Sequence, residues 1–139
     1  MTMAVGSEVA AVVLLRRDGA ALLQQRDDKA GINHPNTWVP PGGHSVPGES
    51  IEACARREFV EETSYVLGDL NYLTQFYDDH GTVSAARLTV FWALYDEVQT
   101  PQCREGQALE FVPRHRAAAL KVPTYLVDVW DRALAAAGL

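Results

Sequence analysis

The segment from Gly43 to Tyr65 constrains this chain most, because it combines a glycine turn, a helix start and three spaced carboxylates. Two turn signals, Pro41-Gly42-Gly43 and Pro47-Gly48, predict a loop over residues 40–48, since glycine and proline favour turns. The residues that follow contain neither glycine nor proline until the segment ends. They predict a helix that begins at Ser50, whose hydroxyl suits the N-cap position.

Helical spacing places the acids of this segment on one side of the predicted helix. At about 100° per residue, Glu62 lies at about +40° and Glu61 at about −60° from Glu58, so the three carboxylates share a stripe. The same side carries small or apolar side chains in the preceding turns, namely Ile51, Cys54 and Ala55. A solvated helix face would instead carry its acids opposite the apolar side chains. The acids are therefore expected to lie on a partly covered face.

Carboxylates this close repel one another and raise each other's pKa values unless a cation joins them. Oxygen ligands without histidine or cysteine favour Mg²⁺ or Mn²⁺ over Zn²⁺. Mg²⁺ keeps part of its shell for water and substrate phosphate. An acidic cluster beside a glycine turn therefore predicts phosphate chemistry at a divalent cation rather than a closed structural site.

The segment resembles the Nudix box, a pattern of Gly, five residues, Glu, seven residues, Arg-Glu, an apolar residue, any residue, Glu-Glu, any residue, Gly and an apolar residue. The matching residues are Gly43, Glu49, Arg57, Glu58, Phe59, Glu61, Glu62 and Tyr65. The one departure is Ser64, which stands where the pattern has glycine. A serine with positive φ at a helix end costs on the order of 1 kcal/mol. A long pattern at fixed spacing is more specific than a short glycine motif.

The resemblance extends over most of the chain, through the strand-like runs Val9–Leu15 and Leu22–Arg26 and the run Trp38–Gly43. It implies hydrolysis of a nucleoside diphosphate linked to another group, with Mg²⁺ as cofactor and Mn²⁺ as a substitute. It also implies metal ligands at Glu58, Glu61 and Glu62, and at the backbone carbonyl of Gly43, with Gly42 as a structural neighbour.

Further roles follow from the same resemblance. Arg57 is expected to orient a carboxylate through a bidentate pair, with Glu49 as its structural partner near the helix start. The general base is either Glu58 or Glu105, because some members take the base from a loop before a late strand. Glu110 is a weaker alternative.

Candidate phosphate-binding residues lie before and within the glycine turn. Arg26, Lys29 and His34 occur in a polar loop over residues 26–36, and each is also explained by ordinary surface charge. His44 directly follows the glycines and could donate to a phosphate. Trp38 is expected to be a core or loop anchor. Substrate-binding candidates are therefore Arg26 and His44 first.

The order of elements predicts an α/β fold. Strands are expected at Val9–Leu15, Ala20–Gln25, Asn71–Tyr77, Arg87–Tyr95 and Leu109–Val112, and a final helix from Pro123-Thr124 to Gly138. Asp18-Gly19 predicts a tight hairpin turn between the first two strands. Strict alternation in the third strand would place Tyr72, Thr74 and Phe76 on one face. The predicted architecture, which the resemblance also implies, is an αβα sandwich with a mixed β-sheet and helices on both faces.

Composition limits the classes of partner. The chain has 139 residues, of which 47% are hydrophobic, so we expect one domain over residues 1–139. The net charge is −6 and basic runs do not exceed pairs, which argues against a nucleic-acid polymer or an anionic membrane as partner. Val9–Leu15 is too short for a membrane span. Cys54 and Cys103 lack metal or disulfide spacing. We expect a cytoplasmic protein, and a homodimer is one possibility that the resemblance carries.

Several functions remain open at this level. A nucleoside triphosphate is the first expectation for the substrate. A nucleotide sugar, a dinucleotide or a non-nucleotide diphosphate is the alternative within the same class. A catalytically silent nucleotide-binding module is an alternative from another class. Such a module would be expected to lose the box carboxylates, and this chain keeps them.

Overall fold

The computed structural model describes residues 8–79 and 82–139 of the chain. The strands are β1 (Glu8–Leu15), β2 (Ala21–Gln25), β3 (Trp38–Val39), β4 (Gly42–His44), β5 (Asn71–Asp78), β6 (Ala86–Leu94) and β7 (Ala108–Val112). The helices are α1 (Ile51–Thr63), a 3₁₀ helix (Arg114–Ala119) and α2 (Leu126–Ala137). A frayed start over residues 1–7 and a surface position for His80 were expected, and both lie outside the described residues.

One seven-stranded sheet joins all the strands, in the order β3-β2-β1-β6-β5, with β4 paired to β1 and β7 paired to β2. Strands β1 and β6 run parallel along their whole paired length, from Glu8 opposite Arg87 to Leu15 opposite Leu94. The other pairs are antiparallel. The predicted mixed sheet is therefore confirmed.

The two helices cover opposite faces of this sheet. Val12 and Leu14 of β1 pack in a buried cluster with Phe59 of α1. Val13 of the same strand packs in a second cluster with Trp130 of α2. Because successive side chains of a strand point to opposite faces, α1 and α2 must lie on opposite sides. The αβα sandwich is confirmed, and burial of a large apolar side chain such as Phe59 stabilises the position of α1 by about 1.5–3 kcal/mol.

The predicted hairpin turn between β1 and β2 is confirmed. Gly19 has φ of 89°, and the Arg16 backbone N–H donates to the Ala20 carbonyl at 2.8 Å. The indole Nε1 of Trp130 donates to the Gly19 carbonyl at 3.1 Å. This turn therefore also fixes α2 against the sheet.

The predicted loop over residues 40–48 is wrong in part, because Gly42–His44 form β4. Strand β4 pairs with β1 through Val9 opposite His44 and Ala11 opposite Gly42. Glycine has low strand propensity, so sequence patterns hide such a strand. A Cβ at Gly42 would collide with the backbone of Ala10, so the close pairing requires glycine there.

The predicted facing of side chains in β5 is also wrong. The strand has a register shift between Tyr72 and Thr74. Leu73 and Phe76 consequently pack against the same core cluster, whereas Tyr72 and Tyr77 are exposed. A bulge of one extra residue reverses the alternation beyond it, and strict period-two reasoning cannot anticipate that. The short strand β3 and the 3₁₀ helix were not predicted.

Helix α1 begins as predicted. The Ser50 Oγ accepts a hydrogen bond from the Ala53 backbone N–H at 3.1 Å, with Ser50 in an extended conformation. This bond satisfies one of the unpaired N–H groups of the first turn. No helix among the described residues is both long enough and apolar enough to cross a membrane.

Loss of this cap has a measurable effect on stability. We expect Ser50→Ala to lower the free energy of unfolding by about 1 kcal/mol, because the Ala53 N–H loses its acceptor. Ser50→Asp keeps an acceptor and serves as the matched control. Urea denaturation measures both variants, and equal midpoints for Ser50→Ala and the parent protein would show that the cap is not stabilising.

Candidate active site

A cavity of about 330 Å³ opens where β4, the C-terminal half of α1 and the loop before β7 meet. Glu58, Glu62 and Glu105 line the cavity, and so do His34 and Asp78. The sandwich therefore brings four carboxylates, two from α1, one from β5 and one from a distant loop, to a single opening.

Glu62 is the most buried acid of the site, with 6% of its surface exposed. Its Oε2 accepts a hydrogen bond from the Gly42 backbone N–H at 3.0 Å. Burial, together with a side-chain hydrogen bond to Glu105, raises the pKa of Glu62 to about 9. Glu62 is therefore harder to ionise than an exposed glutamate, because its charge would be buried and close to that of Glu105.

Glu58 lies directly against the glycine strand. A Cβ added to Gly43 would collide with the Glu58 carboxyl group, so the glycine allows the acid to approach the backbone of β4. Burial raises the pKa of Glu58, and the hydrogen bond from Arg57 opposes that shift. The Arg57 Nη1 donates to Glu58 Oε1 at 2.8 Å.

Arg57 connects the start of α1 to its carboxylates. Its Nε and Nη2 donate to the two oxygens of Glu49 at 2.7 and 3.0 Å, which is a bidentate pair. Its Nη1 contacts both oxygens of Glu61 at 3.3 and 3.4 Å, and its Nη2 donates to the His44 carbonyl at 3.0 Å. The hydrogen bond from Arg57 lowers the pKa of Glu49. The contacts are those expected of an orienting residue, and that role stays a prediction.

The remaining box acid, Glu61, lies apart from the cavity. Its side chain is 56% exposed and contacts Arg57 on the outer side of the helix. The cavity lining contains Glu58 and Glu62 instead. Glu110, the weaker candidate for the base, is an exposed residue of β7 and lies 3.8 Å from Arg116. Of the three acids that share one side of α1, Glu58 and Glu62 therefore line the cavity and Glu61 does not.

The loop that carries Glu105 is joined to the C-terminal end of α1. Ser64 has φ of 61°, the left-handed conformation expected at this position. Its Oγ accepts a hydrogen bond from Arg104 Nε at 2.7 Å. The Arg104 backbone N–H donates to the Glu62 carbonyl at 3.0 Å, and that of Gln102 donates to the Thr63 carbonyl at 2.8 Å.

Arg26 and His44 line the cavity, as the phosphate-binding hypothesis requires. Arg26 also lines an adjoining recess that contains Lys29 and Glu105. His34 is buried and its Nε2 lies 2.7 Å from Asp78 Oδ2, so it is committed to a partner inside the protein. The substrate-binding roles stay predictions.

The aromatic residues divide between core and cavity. Trp38 packs against the α2 core cluster, which confirms its role as an anchor. Phe91 is buried in the α1 cluster rather than in the cavity lining. Tyr125, which sequence reasoning missed, lines the cavity and contacts the His34 ring edge-on at a centroid distance of 6.0 Å. Asp78 was missed as well, because it belongs to a different strand and no local pattern marks it.

The donor set fits a hard divalent cation in its chemistry. Among residues 8–79 and 82–139, no three His, Cys, Asp or Glu side chains form a ready-made metal cluster. Glu58, Glu62 and the Gly43 carbonyl nevertheless offer oxygen atoms at one place. Burial raises the pKa of Cys54 to about 11, so its thiol stays protonated and donates to the Gly43 carbonyl at 3.4 Å. A divalent cation at this place would offset the cost of charging the buried Glu62 carboxyl.

An αβα sandwich in which a glycine strand and a glutamate-rich helix enclose an oxygen-lined cavity is the architecture of the Nudix class. The family model described as the NUDIX domain matches residues 6–129, and the chain belongs to this family. Members of the family generally use divalent metal cations.

Two relatives and one solved structure show what the chain is similar to. It is 32% identical over 97 residues to the nucleoside triphosphatase NudI of Escherichia coli. The aligned segment covers 70% of this chain and 56% of that protein. It is 36% identical over 67 residues to the m7GpppN-mRNA hydrolase NUDT17 of Xenopus laevis. This aligned segment covers 48% of this chain and 23% of that protein. The match therefore spans about half or less of these relatives' length.

The fold is similar to that of the NUDIX domain of NrtR from Shewanella oneidensis, crystallised with ADP-ribose. The TM-score is 0.79 at 17% identity, and the match covers 99% of this chain and 90% of that one. This similarity establishes the fold alone.

The raised pKa of Glu62 predicts a pH dependence of stability. Between its ordinary value of 4.5 and about 9, the folded protein keeps a proton that the unfolded chain has lost. In protein freed of metal by a chelator, we therefore expect Glu62 to stabilise the fold most below pH 4.5. This contribution to the free energy of unfolding should fall as the pH rises to about 9.

Urea denaturation at several pH values tests this expectation. Glu62→Gln should lose this component of the pH slope, because glutamine does not titrate. Glu52→Gln, a change at an exposed acid of the same helix, should keep the slope of the parent protein. Parallel slopes for the parent protein and Glu62→Gln would contradict the assignment.

Proposed function

We propose that this chain is a Mg²⁺-dependent hydrolase that cleaves a phosphoanhydride bond in a nucleoside diphosphate linked to another group. The observation that carries the proposal is the buried Glu62 carboxyl, which accepts a hydrogen bond from the Gly42 N–H and lines one cavity with Glu58 and Glu105. Burial of paired acids destabilises a fold unless a proton or a cation compensates their charge. A divalent cation carried in by a phosphate compound supplies that compensation.

Glu58, Glu62 and the Gly43 carbonyl are the proposed ligands of the cation. Glu61 is a further ligand only if it turns from Arg57 toward the cavity. When bound, Mg²⁺ supplies positive charge that stabilises the phosphate oxygens during displacement, and Mn²⁺ is the expected substitute. Arg57 holds Glu58 in place through its Nη1, while its bidentate pair with Glu49 fixes the guanidinium itself.

Glu105 is the proposed general base. Water attacks phosphorus, its proton passes to the Glu105 carboxylate, and the bridging oxygen leaves with the departing phosphate group. Glu105 is exposed, so it can return the proton to solvent. Glu58 is the alternative base, but its contacts with Arg57 and Gly43 suit it better to a fixed ligand position.

Arg26 and His44 are the proposed phosphate-binding residues. Arg26 lines both the cavity and the adjoining recess, and its Nε donates to the Asn33 carbonyl at 2.8 Å, which fixes the side chain beside the acids. His34, Asp78 and Tyr125 lie at a second polar region of the same cavity. That region offers hydrogen-bonding groups to the organic part of a substrate.

A nucleoside triphosphate is the proposed first substrate, supported by the similarity to NudI, which is named a nucleoside triphosphatase. A nucleotide sugar, a dinucleotide or a non-nucleotide diphosphate would use the same phosphate chemistry. The two cysteines, Cys54 and Cys103, are unpaired. Unpaired thiols are typical of proteins in a reducing compartment, so we propose that the protein is located in the cytoplasm.

A substrate panel tests the proposed reaction. Nucleoside triphosphates, nucleotide sugars and dinucleotides are incubated with the protein and Mg²⁺, and released phosphate or pyrophosphate is measured. Glu62→Gln should reduce turnover by about 10²–10³-fold, the scale of losing one preorganised electrostatic contact. An equal loss in Glu61→Gln would show that Glu61 turns toward the cavity as a further ligand. Glu52→Gln is the matched control. Binding of nucleotide with every compound left intact would instead indicate a silent binding module.

The choice of base has a separate test. Glu105→Gln should lower kcat by about 10²–10⁴-fold because the attacking water loses its proton acceptor. Glu110→Gln, at an exposed acid in the following strand, should leave kcat unchanged. Mn²⁺ affinity, followed by electron paramagnetic resonance, should change little in either variant. Full turnover by Glu105→Gln together with an inactive Glu58→Gln would assign the base to Glu58.

A further inference from the structure

The end of helix α1 contains a residue that its backbone conformation does not favour. Ser64 follows the last helical residue with φ of 61°, a region in which glycine is the preferred residue. The Nudix pattern has glycine at this position, and the departure gives this chain a hydroxyl group there. That hydroxyl accepts a hydrogen bond from Arg104 Nε at 2.7 Å. The unfavourable residue therefore gains a contact that glycine cannot make.

Two backbone contacts accompany this side-chain bond. The N–H groups of Gln102 and Arg104 donate to the carbonyls of Thr63 and Glu62 at 2.8 and 3.0 Å. Carbonyls in the last turn of a helix lack partners within the helix, so the loop satisfies them. The loop over residues 102–106 is thus joined to the helix at three points. The next residue along the loop, Glu105, lines the same cavity as Glu62.

The other side of the same loop is held by strand β2. Gln24 Nε2 donates to the Glu105 carbonyl at 3.1 Å, and the Gln107 N–H donates to the Gln25 carbonyl at 2.8 Å. Gly106 has φ of 79°, and a Cβ there would collide with the Gln25 carbonyl. Glu105 is therefore an exposed residue whose backbone is fixed from both sides.

We propose that Ser64 and Arg104 are positioning residues whose hydrogen bond fixes the 102–106 loop and so directs the Glu105 carboxyl toward Glu62 and the cavity. Arg104 and Glu105 are neighbours in the chain, so anchoring the first side chain restricts the backbone rotations that would move the second away. An exposed carboxylate on an unanchored loop would occupy many orientations, of which few suit proton transfer. The inference rests on the proposed role of Glu105 as general base.

Ser64→Gly and Arg104→Met each remove the bond in a different way. Glycine suits the backbone conformation at position 64, so the melting temperature of Ser64→Gly should stay within a few degrees of the parent value. We expect each variant to lower kcat about tenfold with KM unchanged, because the bond orients a catalytic group rather than the substrate. The double variant should lose no more than a single variant, since both changes remove the same contact.

Two further variants separate positioning from general structure. Ser64→Asn retains a side-chain oxygen and tolerates the left-handed conformation, so it should restore part of kcat. Arg114→Met removes a surface arginine whose side chain is paired with Asp131 of α2 at 2.8 Å rather than with a residue of this loop. That control should keep the parent kcat.

Hydrogen–deuterium exchange gives a readout that needs neither metal nor substrate. In the metal-free protein, the amides of Gln102 and Arg104 should exchange about tenfold faster in Ser64→Gly than in the parent protein, because the loop opens more often. The amides of β6 should exchange at the parent rate. Arg114→Met should not change either set of amides.

The outcomes separate this inference from the proposed function. Parent-like kcat in Ser64→Gly and Arg104→Met, with Glu105→Gln inactive, overturns the positioning role and leaves the proposed base intact. Faster amide exchange in the loop with unchanged kcat likewise overturns the positioning role, because the Ser64–Arg104 hydrogen bond then only stabilises the loop. Full activity of Glu105→Gln overturns the base assignment and the inference together. The positioning role is supported if Ser64→Gly and Arg104→Met lower kcat without changing KM, if Ser64→Asn restores part of kcat, and if the loop amides exchange faster in Ser64→Gly.

Discussion

The hydrogen bond from the Gly42 N–H to the buried Glu62 carboxyl is the contact on which the candidate site depends. Strand β4 pairs with β1, and α1 packs on the same strand through Phe59. The two ends of this contact are therefore brought together by the core itself. A carboxyl group in that place is destabilising while charged, so the fold requires a compensating proton or cation there. Arg57 does not supply it, since its contacts go to Glu49, Glu58 and Glu61.

The glycines of β4 make this geometry possible for a steric reason. At Gly42 a side chain would meet the backbone of β1, and at Gly43 it would meet the Glu58 carboxyl. The strand thus approaches both its partner and the helix more closely than other residues allow. Backbone N–H and carbonyl groups, rather than side chains, are consequently presented to the acids. The same cavity is lined by these glycines and by the carboxylates of Glu58 and Glu62, and oxygen is the donor atom that hard cations prefer.

Local features of the site could be predicted from the sequence, and contacts between distant segments could not. The cap at Ser50 was predicted from neighbouring residues, and the left-handed conformation at residue 64 from the glycine that the Nudix pattern has there. That the three glutamates share one side of α1 was also predicted locally. The helical repeat alone, however, does not show which of them line a cavity. Contact between Glu105 and Glu62 depends on how β2 and α1 hold a loop. Asp78 reaches the cavity from an edge strand with a bulge, which alternation does not anticipate.

The unequal placement of the three box acids has a consequence for how a cation would be held. Glu58 and Glu62 line the cavity together with Gly43, whereas Glu61 is engaged by Arg57 outside the cavity. Mg²⁺ prefers an octahedral shell, and a donor set of this size fills only part of it. The remaining positions suit water and phosphate oxygens, which an enclosed cage of protein ligands would exclude. Under the proposed function, a partly filled shell would leave positions for phosphate oxygens, which suits an ion that acts on a phosphate compound better than one that only stabilises the fold.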